Sequence, residues 1–353
     1  MRELRAGVLG ATGAVGQRMI EHLADHPWIR VRRVMASERS QGRPFRDACE
    51  WRLDTRLPPD IGDMVVTGPN PTQELDLVFS GLGADVAGPI EQAWAHAGAW
   101  VFSNARSHRM EADVPLVIPE VNPDHLKLLD RQKTQRGWSG AIVTNANCST
   151  TFLAMALAPL HREFGVEAVS VVTLQAVSGA GHAGVSSMAI HGNVIPNILG
   201  EESKIETEPL KILGALDGTQ VTPADITISA QVHRVPVLDG HTEAVSFSLR
   251  RSASLAQVRE ALEDFRGPPQ ELDLPSAPSR PIVYVDGTDR PQPRLDLRIE
   301  AGMATVIGRL RECPVLDYRM VVLGHNTIRG AGPGSVLNAE LCARTGLMEK
   351  SPT

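Results

Sequence analysis

"LRAGVLGATGAVGQRMIEHLADH", Leu4 to His26, runs from a short apolar strand through glycines 7, 10, 13 and 16 into an amphipathic helix. The stretch that follows, "WIRVRRVMASERS" (Trp28 to Ser40), reads as a second strand. Strand, glycine turn, helix and strand in that order are the opening βαβ unit of a Rossmann-type dinucleotide-binding domain. The spacing G-x-x-G-x-x-G departs from the usual G-x-G-x-x-G, but the physics is the same. Glycines permit a tight turn and let backbone N–H groups at a helix N-terminus approach a pyrophosphate. Gly10, Thr12, Gly13, Ala14, Val15 and Gly16 are therefore candidate cofactor-binding residues. A turn serving only helix–strand packing is the competing reading, weakened by the order of the elements. The second strand ends in Ser37, Glu38, Arg39 and Ser40. Ser and Arg there suit a ribose 2′-phosphate, so the expected dinucleotide is NADP, bound through Ser37, Arg39 and Ser40.

Downstream, "LDLVFSGLG" (Leu75 to Gly83) and "AWVFSN" (Ala99 to Asn104) are apolar runs that end in small polar residues. Such ends suit parallel strands whose carboxyl ends face a cofactor, which adds Ser80, Gly81, Ser103 and Asn104 to the candidates. After residue 148 the pattern changes. "VEAVSVVTLQAVSGAG", "ITISAQVHRVPV", "HTEAVSFSLR" and "PIVYVDG" are β-branched or alternating, as in an α+β domain with a mixed or antiparallel sheet. "LDG" before His241 reads as a hairpin turn that sets Arg234 and His241 on either side of one hairpin. The Pro-rich stretch from Arg266 to Pro281 reads as a surface loop, and "GAGPGSVLNAELCARTG" as a final helix packing back on the first domain. The expected class is thus α/β, with residues 1–147 plus 329–353 as the dinucleotide domain and 148–328 as the second domain.

Bulk properties bound the function. The chain has 353 residues, 42% hydrophobic and 22% charged, with a net charge of −6, as expected of a soluble globular protein. Nothing in that balance points to nucleic acid or an anionic membrane. No leader-like or membrane-length apolar segment is visible, and a cytoplasmic location is expected. Cys49, Cys148, Cys313 and Cys342 are scattered with no C-x-x-C pair, which argues against a disulfide framework and a metal site.

Cys148 sits in "TNANCSTTFLAMALAPL", just before what reads as a helix. There the helix dipole favours thiolate, and backbone N–H groups with the Asn147 amide are available to an oxyanion. Free cysteine is also among the most buried residue types, and for a lone cysteine that reading is the stronger one. A base has to come from 11 histidines. His22, His26, His96, His125 and His161 read as surface residues; His241 and its neighbour His233 are the candidates.

Read together, "GATGAVG", "SNARSHRM", "NANCST", "LQAVSGAG", "GNVIPNILGEESKIETEPLKILG", "RVPVLDGHTEAVSF" and "GHNTIRGAGPGSVLNAE" resemble the aspartate-β-semialdehyde dehydrogenases, in their archaeal and fungal-type branch. The motifs occur in the family's order from Gly7 to Glu340. The resemblance implies Cys148 as nucleophile, His241 as acid/base, Gln175 as positioner of the acyl group and Asn147 as oxyanion helper. It assigns Arg234 to the substrate's α-carboxylate, Glu201 to its ammonium, and Arg109 and Lys204 to phosphate. Ser178, Gly179 and Asn326 would contact the nicotinamide side of NADP. An acyl-phosphate amino acid needs such separated clusters, since Arg recognises carboxylate bidentately and Lys supplies a point charge. Glu202, Glu206 and Glu208 read as members of a solvated charged helix.

The implied reaction is reductive dephosphorylation of L-aspartyl 4-phosphate to L-aspartate 4-semialdehyde through a cysteine thioester, serving lysine, threonine and methionine synthesis. The implied assembly is a homodimer or homotetramer built through the sheet of a catalytic and dimerisation domain. Two departures stand out: His233 beside Arg234, and Arg106 beside Arg109, where relatives often carry smaller residues. An acyl-CoA reductase of the malonyl-CoA type shares the chemistry but has no ammonium for Glu201; an N-acetylglutamyl-phosphate reductase fits the "GNVIPNILGEESK" block poorly. A thiol hydrolase or acyltransferase needs no dinucleotide, and a non-catalytic NADP sensor needs no Cys, Gln, Arg and His set.

Overall fold

A computed structural model describes residues 2–349. Five parallel strands, β1 (Leu4–Leu9), β2 (Ile29–Met35), β3 (Leu77–Ser80), β4 (Trp100–Ser103) and β5 (Ala141–Thr144), form the first sheet in the order β2-β1-β3-β4-β5. Strands β3, β4 and β5 are buried along their whole length, whereas β1 exposes Arg5 and the edge strand β2 carries Arg30, Arg32 and Arg33. Helix α1 (Ala14–Leu23) packs on one face and contributes Met19 and Ile20 to a core with Val8, Phe79 and Phe102. Helix α2 (Ala84–His96) brings the buried Trp94 to Leu9, Val78 and Val101 on the other face. Helix α3 (Leu128–Arg136) packs against β5.

The remaining strands are β6 (Val166–Gln175), a small hairpin of β7 (Ala215–Asp217) with β8 (Gln220–Thr222), β9 (Thr227–Arg234), β10 (His241–Leu249), β11 (Ile282–Val285), β12 (Thr305–Glu312) and β13 (Tyr318–Gly324). Six of them make one mixed sheet, ordered β11-β12-β13-β10-β6-β9, with β6–β9 and β11–β12 parallel. Helix α4 (Cys148–Phe164) lies against this sheet and beneath α5 (Glu201–Ile212) and α6 (Leu255–Glu263). Every residue from Phe152 to Leu160 is buried, which explains why this helix is apolar on all sides rather than amphipathic. The opposite sheet face carries half-exposed side chains such as Leu174, 40% exposed.

The chain then returns. Helix α7 (Gly332–Arg344) packs against α1 and against β3 and β4; residues 350–353 lie outside the described residues. Glu340 of α7 is buried, accepting from the Ser276 N–H and bonding His26 Nε2 at 2.8 Å.

Three expectations change. Arg234 and His241 do not flank a hairpin, because β6 runs between β9 and β10 and pairs with both. The "LDG" turn therefore carries the chain across the end of β6. The Arg266–Pro281 segment is no surface loop: Leu274 and Ser276 are buried, the latter on Glu340. His26 and His125 are not surface residues either. His26 Nδ1 accepts from the Trp28 and Ile29 N–H groups, and His125 Nε2 lies 3.1 Å from the Gly214 carbonyl. Among the described residues no helix is long and apolar enough to cross a membrane, and no cluster of His, Cys, Asp or Glu is arranged to hold a metal ion.

Candidate active site

The glycine loop closes tightly on the first sheet. Gly10 has φ +71°, and a Cβ there would meet the Gly81 carbonyl oxygen at 2.8 Å; one on Gly16 would meet the Gly10 oxygen at 2.3 Å. No side chain caps α1, and its first turn holds no acidic residue, so its N–H groups are open to an anion. From Ala14 and Arg18 a cleft of about 310 Å³ extends to Thr327, Leu238, Gly181 and Ser178. Residues Ser37, Glu38 and Arg39 are exposed beyond the end of β2. An uncapped helix start, a glycine cradle and an adjoining cleft fit a dinucleotide.

At two of the candidate cofactor contacts the hydroxyl is turned inward, away from a cofactor. The Ser103 hydroxyl donates to the fully buried Glu91 of α2 at 2.8 Å, and the Ser80 hydroxyl is buried on the same side. Burial pushes the Glu91 carboxyl up, and these hydroxyls oppose the shift. At these strand ends only backbone, Gly81 and Asn104 remain for a cofactor. Asn104 itself donates to the Ser80 carbonyl and the Ser335 hydroxyl.

The parallel pairing of β6 with β9 sets Gln175 beside Arg234, and the antiparallel pairing with β10 sets the same end of β6 beside His241. All three are buried on one face of the sheet. His233, one residue before Arg234, points to the opposite face, which removes it as a competitor for the base. Cys148 begins α4, and its Sγ lies 3.3 Å from His241 Nε2. On the other side of the ring, Nδ1 accepts from the Ala176 N–H at 3.1 Å. The ring proton of a neutral His241 is thereby placed on Nε2, facing sulfur. Arg234 Nη1 donates to the Ala176 carbonyl at 2.6 Å, and Gln175 Nε2 donates to the Thr173 hydroxyl at 3.3 Å.

Gly179 closes over this group. A Cβ there would lie 2.7 Å from Arg234 Nη1 and 3.3 Å from His241 Cε1. Gly179→Ala must push the Arg234 guanidinium aside, which its long side chain can yield to, so the loss falls on substrate positioning and kcat/KM for substrate should fall about ten- to hundredfold. Steady-state kinetics check this; an unchanged value would mean the loop is free to move away. Asn326 is tied into the same loops, accepting from the Gly240 N–H and donating to the Ser178 hydroxyl.

Helix α5 supplies the charges. Glu201 accepts from Lys204 Nζ at 2.7 Å and from Asn147 Nδ2 at 2.5 Å. The Asn147 Oδ1 meanwhile caps α4, accepting from the Ser149 and Thr150 N–H groups. Oδ1 and one Nδ2 proton are thus engaged, and the second Nδ2 proton is the part of the Asn147 amide left to donate to an oxyanion. The N–H of Cys148, which has no acceptor among the described residues, is a second donor beside it. Arg109 is buried, with Nη1 on Glu208 Oε1 at 2.8 Å, Nη2 on the Asn104 carbonyl, and Nε without a partner. An orphaned buried guanidinium N–H marks a place for an anion. Gly200 lies close to the Arg106 guanidinium, which puts that extra cation near the start of α5.

The reading of the acidic residues as solvated fails for Glu208, which is buried and also accepts from the Asn147 N–H at 2.7 Å. Glu202 and Glu206 accept from the Val232 and Ala230 N–H groups of the edge strand β9. Lys211 went unnoticed in the sequence, yet its ammonium donates to three carbonyls, those of Arg109, Glu111 and Val114. The available signal was the spacing 201, 204, 208, 211, which lies along one helical face.

The thiol departs from expectation as well. Burial first, then the Glu201 charge, push Cys148 up to about 12, against Arg109, the Ser149 N–H and Lys204. Burial and Arg234 push His241 down to about 3. Both shifts favour a thiol and a neutral imidazole at rest, desolvation acting against the helix terminus. Alkylation of Cys148 by iodoacetamide in the substrate-free protein should therefore keep accelerating above pH 9, the reverse of a low-pKa thiol, whose rate levels off near neutrality. A plateau below pH 8 would contradict this electrostatic picture.

Comparison with known proteins agrees with the two sheets. Residues 5–129 match the family described as "Semialdehyde dehydrogenase, NAD binding domain", and residues 157–329 match "Semialdehyde dehydrogenase, dimerisation domain". Aspartate-semialdehyde dehydrogenase of Methanothermobacter thermautotrophicus is 50% identical over 342 residues, covering 96% of this chain and 98% of that one. The Cryptococcus neoformans enzyme of the same name is 45% identical, covering 98% and 99%. A crystal structure of aspartate semialdehyde dehydrogenase with NADP from Candida albicans superposes with a TM-score of 0.91 at 42% identity, covering 98% of this chain and 99% of that one. With cysteine, histidine and glycine cradle in place and likeness along nearly the whole length, the chain belongs to the aspartate-semialdehyde dehydrogenase family.

Proposed function

We propose that the protein reduces L-aspartyl 4-phosphate to L-aspartate 4-semialdehyde with NADPH, through a thioester on Cys148. The observation that carries this reading is the contact of Cys148 Sγ with His241 Nε2 at the N-terminus of α4, flanked by Arg234, Gln175 and the α5 charges. Relatives named for aspartate semialdehyde, and a structural neighbour solved with NADP, support the substrate and cofactor.

Residues 10–16, Ser37, Arg39, Ser40, Gly81, Asn104, Ser178, Gly179 and Asn326 would hold the dinucleotide, which supplies two-electron reduction at the acyl carbon when bound. Arg234 takes the α-carboxylate and Glu201 the ammonium, while Arg109 and Lys204 take the phosphate. Capture of the ammonium offsets the Glu201 charge, which raises the thiol pKa, and so favours thiolate. Cys148 then attacks the acyl carbon and phosphate leaves. To take the Cys148 proton on Nε2, His241 carries its own proton on Nδ1 and gives up the Ala176 bond; the imidazolium so formed returns a proton from Nε2 to the carbonyl oxygen or the departing sulfur. Gln175 fixes the acyl group between them.

Residues 1–147 with 329–353 serve the dinucleotide, and 148–328 serve catalysis and dimerisation. A homodimer would form through the half-exposed face of the six-stranded sheet, within the region matched to a dimerisation domain. A cytoplasmic setting and a role in lysine, threonine and methionine synthesis follow from this chemistry.

The deciding assay supplies purified protein with L-aspartate semialdehyde, phosphate and NADP and follows NADPH at 340 nm, with NAD in parallel. Turnover with NADP is expected. Reduction of malonyl-CoA by NADPH without turnover of the semialdehyde would overturn the proposal, and Glu201 would then need another role.

A further inference from the structure

The carboxylate of Glu208 has neither a substrate to bind nor solvent to face. It is buried on α5, and its two oxygens are engaged on opposite sides. Oε1 holds the Arg109 guanidinium at 2.8 Å; Oε2 accepts from the Asn147 backbone N–H at 2.7 Å, the amide immediately before the nucleophile. Three residues on, the Lys211 ammonium spends all three protons on the loop that carries Arg109, at 2.7 Å to the Arg109 carbonyl, 2.8 Å to Glu111 and 2.7 Å to Val114. These carbonyls belong to a segment between β4 and α3, whereas Asn147 follows β5. The two segments also pair further back, Thr144 with Pro115 and Val117 and Asn145 with Asn104, but Glu208 is the side chain that joins Arg109 itself to the Asn147 N–H.

We infer that Glu208 and Lys211 are positioning residues, through which α5 fixes the distance between the anion-binding Arg109 and the turn that presents Cys148. The same helix face bears Lys204 one turn and Glu201 two turns before Glu208, so substrate groups and protein groups are measured against one rigid element. Charge assists the arrangement. A carboxylate between a guanidinium and a backbone N–H makes two charge-assisted bonds, and an ammonium on three converging carbonyls has no orphaned proton. Neither residue reaches the reacting atoms. The inference rests on the assignment of phosphate to Arg109, and it adds two residues to which that assignment gives no part.

Glu208→Gln separates positioning from mere stability. A glutamine can still accept from the Asn147 N–H, but its amide then turns a donor toward Arg109, and that side is lost. Expected results are a KM for phosphate raised about tenfold or more, a KM for NADP within twofold of wild type, and a lower kcat. Binding is read independently of turnover as protection of Cys148 by inorganic phosphate against iodoacetamide, followed on the Cys148 peptide by mass spectrometry. The protecting concentration should rise in step with KM.

Lys211→Arg is the second variant, since a planar guanidinium keeps the charge but cannot direct three protons to three converging carbonyls. It should weaken phosphate protection and leave the phosphate-free alkylation rate unchanged, because Lys211 touches only the Arg109 loop. Glu208→Gln should change both. Phosphate KM and protection within twofold of wild type in either soluble variant would overturn the inference, as would equal rises for phosphate and NADP. Wild-type protein inactive on the semialdehyde would instead count against the proposed function, while the protection measurement still reports on Glu208 and Lys211.

Discussion

Cys148→Ser should lower NADP-dependent oxidation of L-aspartate semialdehyde by about 10³-fold or more. The substitution is nearly isosteric, and the fold gives it little reason to disturb α4. Asn147 caps the helix with its own side chain, and the residues from Phe152 onward are packed independently of position 148. What changes is the nucleophile. A serine hydroxyl is far harder to ionise than a thiol, and the site already resists a negative charge at this position, since burial and Glu201 hold even the thiol near 12. An oxygen ester would also be a poorer acceptor for reduction than a thioester. Two measurements check the prediction: the NADPH-forming rate, and mass spectrometry of the protein quenched with substrate, which should show an acyl adduct on the wild type and none on the variant. A residual rate within tenfold of wild type would remove Cys148 from the chemistry.

His241→Asn should depress kcat about 10²- to 10³-fold while the KM for NADP stays nearly constant. The ring spans from the Ala176 N–H to sulfur, and asparagine is too short to serve both ends. No neighbour can replace it, because His233 lies on the other face of the sheet. The same substitution has a second readout. Folded His241 resists protonation down to about pH 3, whereas in the unfolded chain it protonates near its ordinary 6.5. Between those values the unfolded state binds the extra proton, so this group makes stability fall as pH falls. His241→Asn should flatten that part of the pH dependence of Tm. An unaltered rate and an unaltered acid slope would together exclude the buried, neutral imidazole.

The first sheet was legible because its signals are local. Strand, glycine turn and helix from Leu4 to Leu23 follow one another directly, and Gly10 and Gly16 sit where a side chain would strike backbone. The candidate cysteine and histidine were legible through their motifs. The insertion of β6 between β9 and β10 was not, because pairing partners distant in sequence leave no mark on the "LDG" turn, which suits a crossing loop as well as a hairpin. The inward turn of the Ser80 and Ser103 hydroxyls was not legible, because a strand end does not tell which way its hydroxyl faces; a buried Glu91 on another element decides it. Glu208 hid among similar charges on α5, since helical spacing names a face without saying what covers it. What opposes the helix terminus at the thiol was not legible, since burial and the Glu201 carboxylate come from elements distant in sequence.

The carboxylates of Glu202 and Glu206 have a consequence beyond the site. Strand β9 is the outermost of its sheet, and an open row of amides there would be a template for strand addition by any unfolded or partly folded chain. By accepting from Ala230 and Val232, the two glutamates close part of that row with groups that also repel acidic segments. The helix that arranges the catalytic charges thus shields the margin of the sheet from edge-to-edge polymerisation. Loss of both carboxylates should appear first as aggregation during refolding, before any change in the activity of the protein that folds.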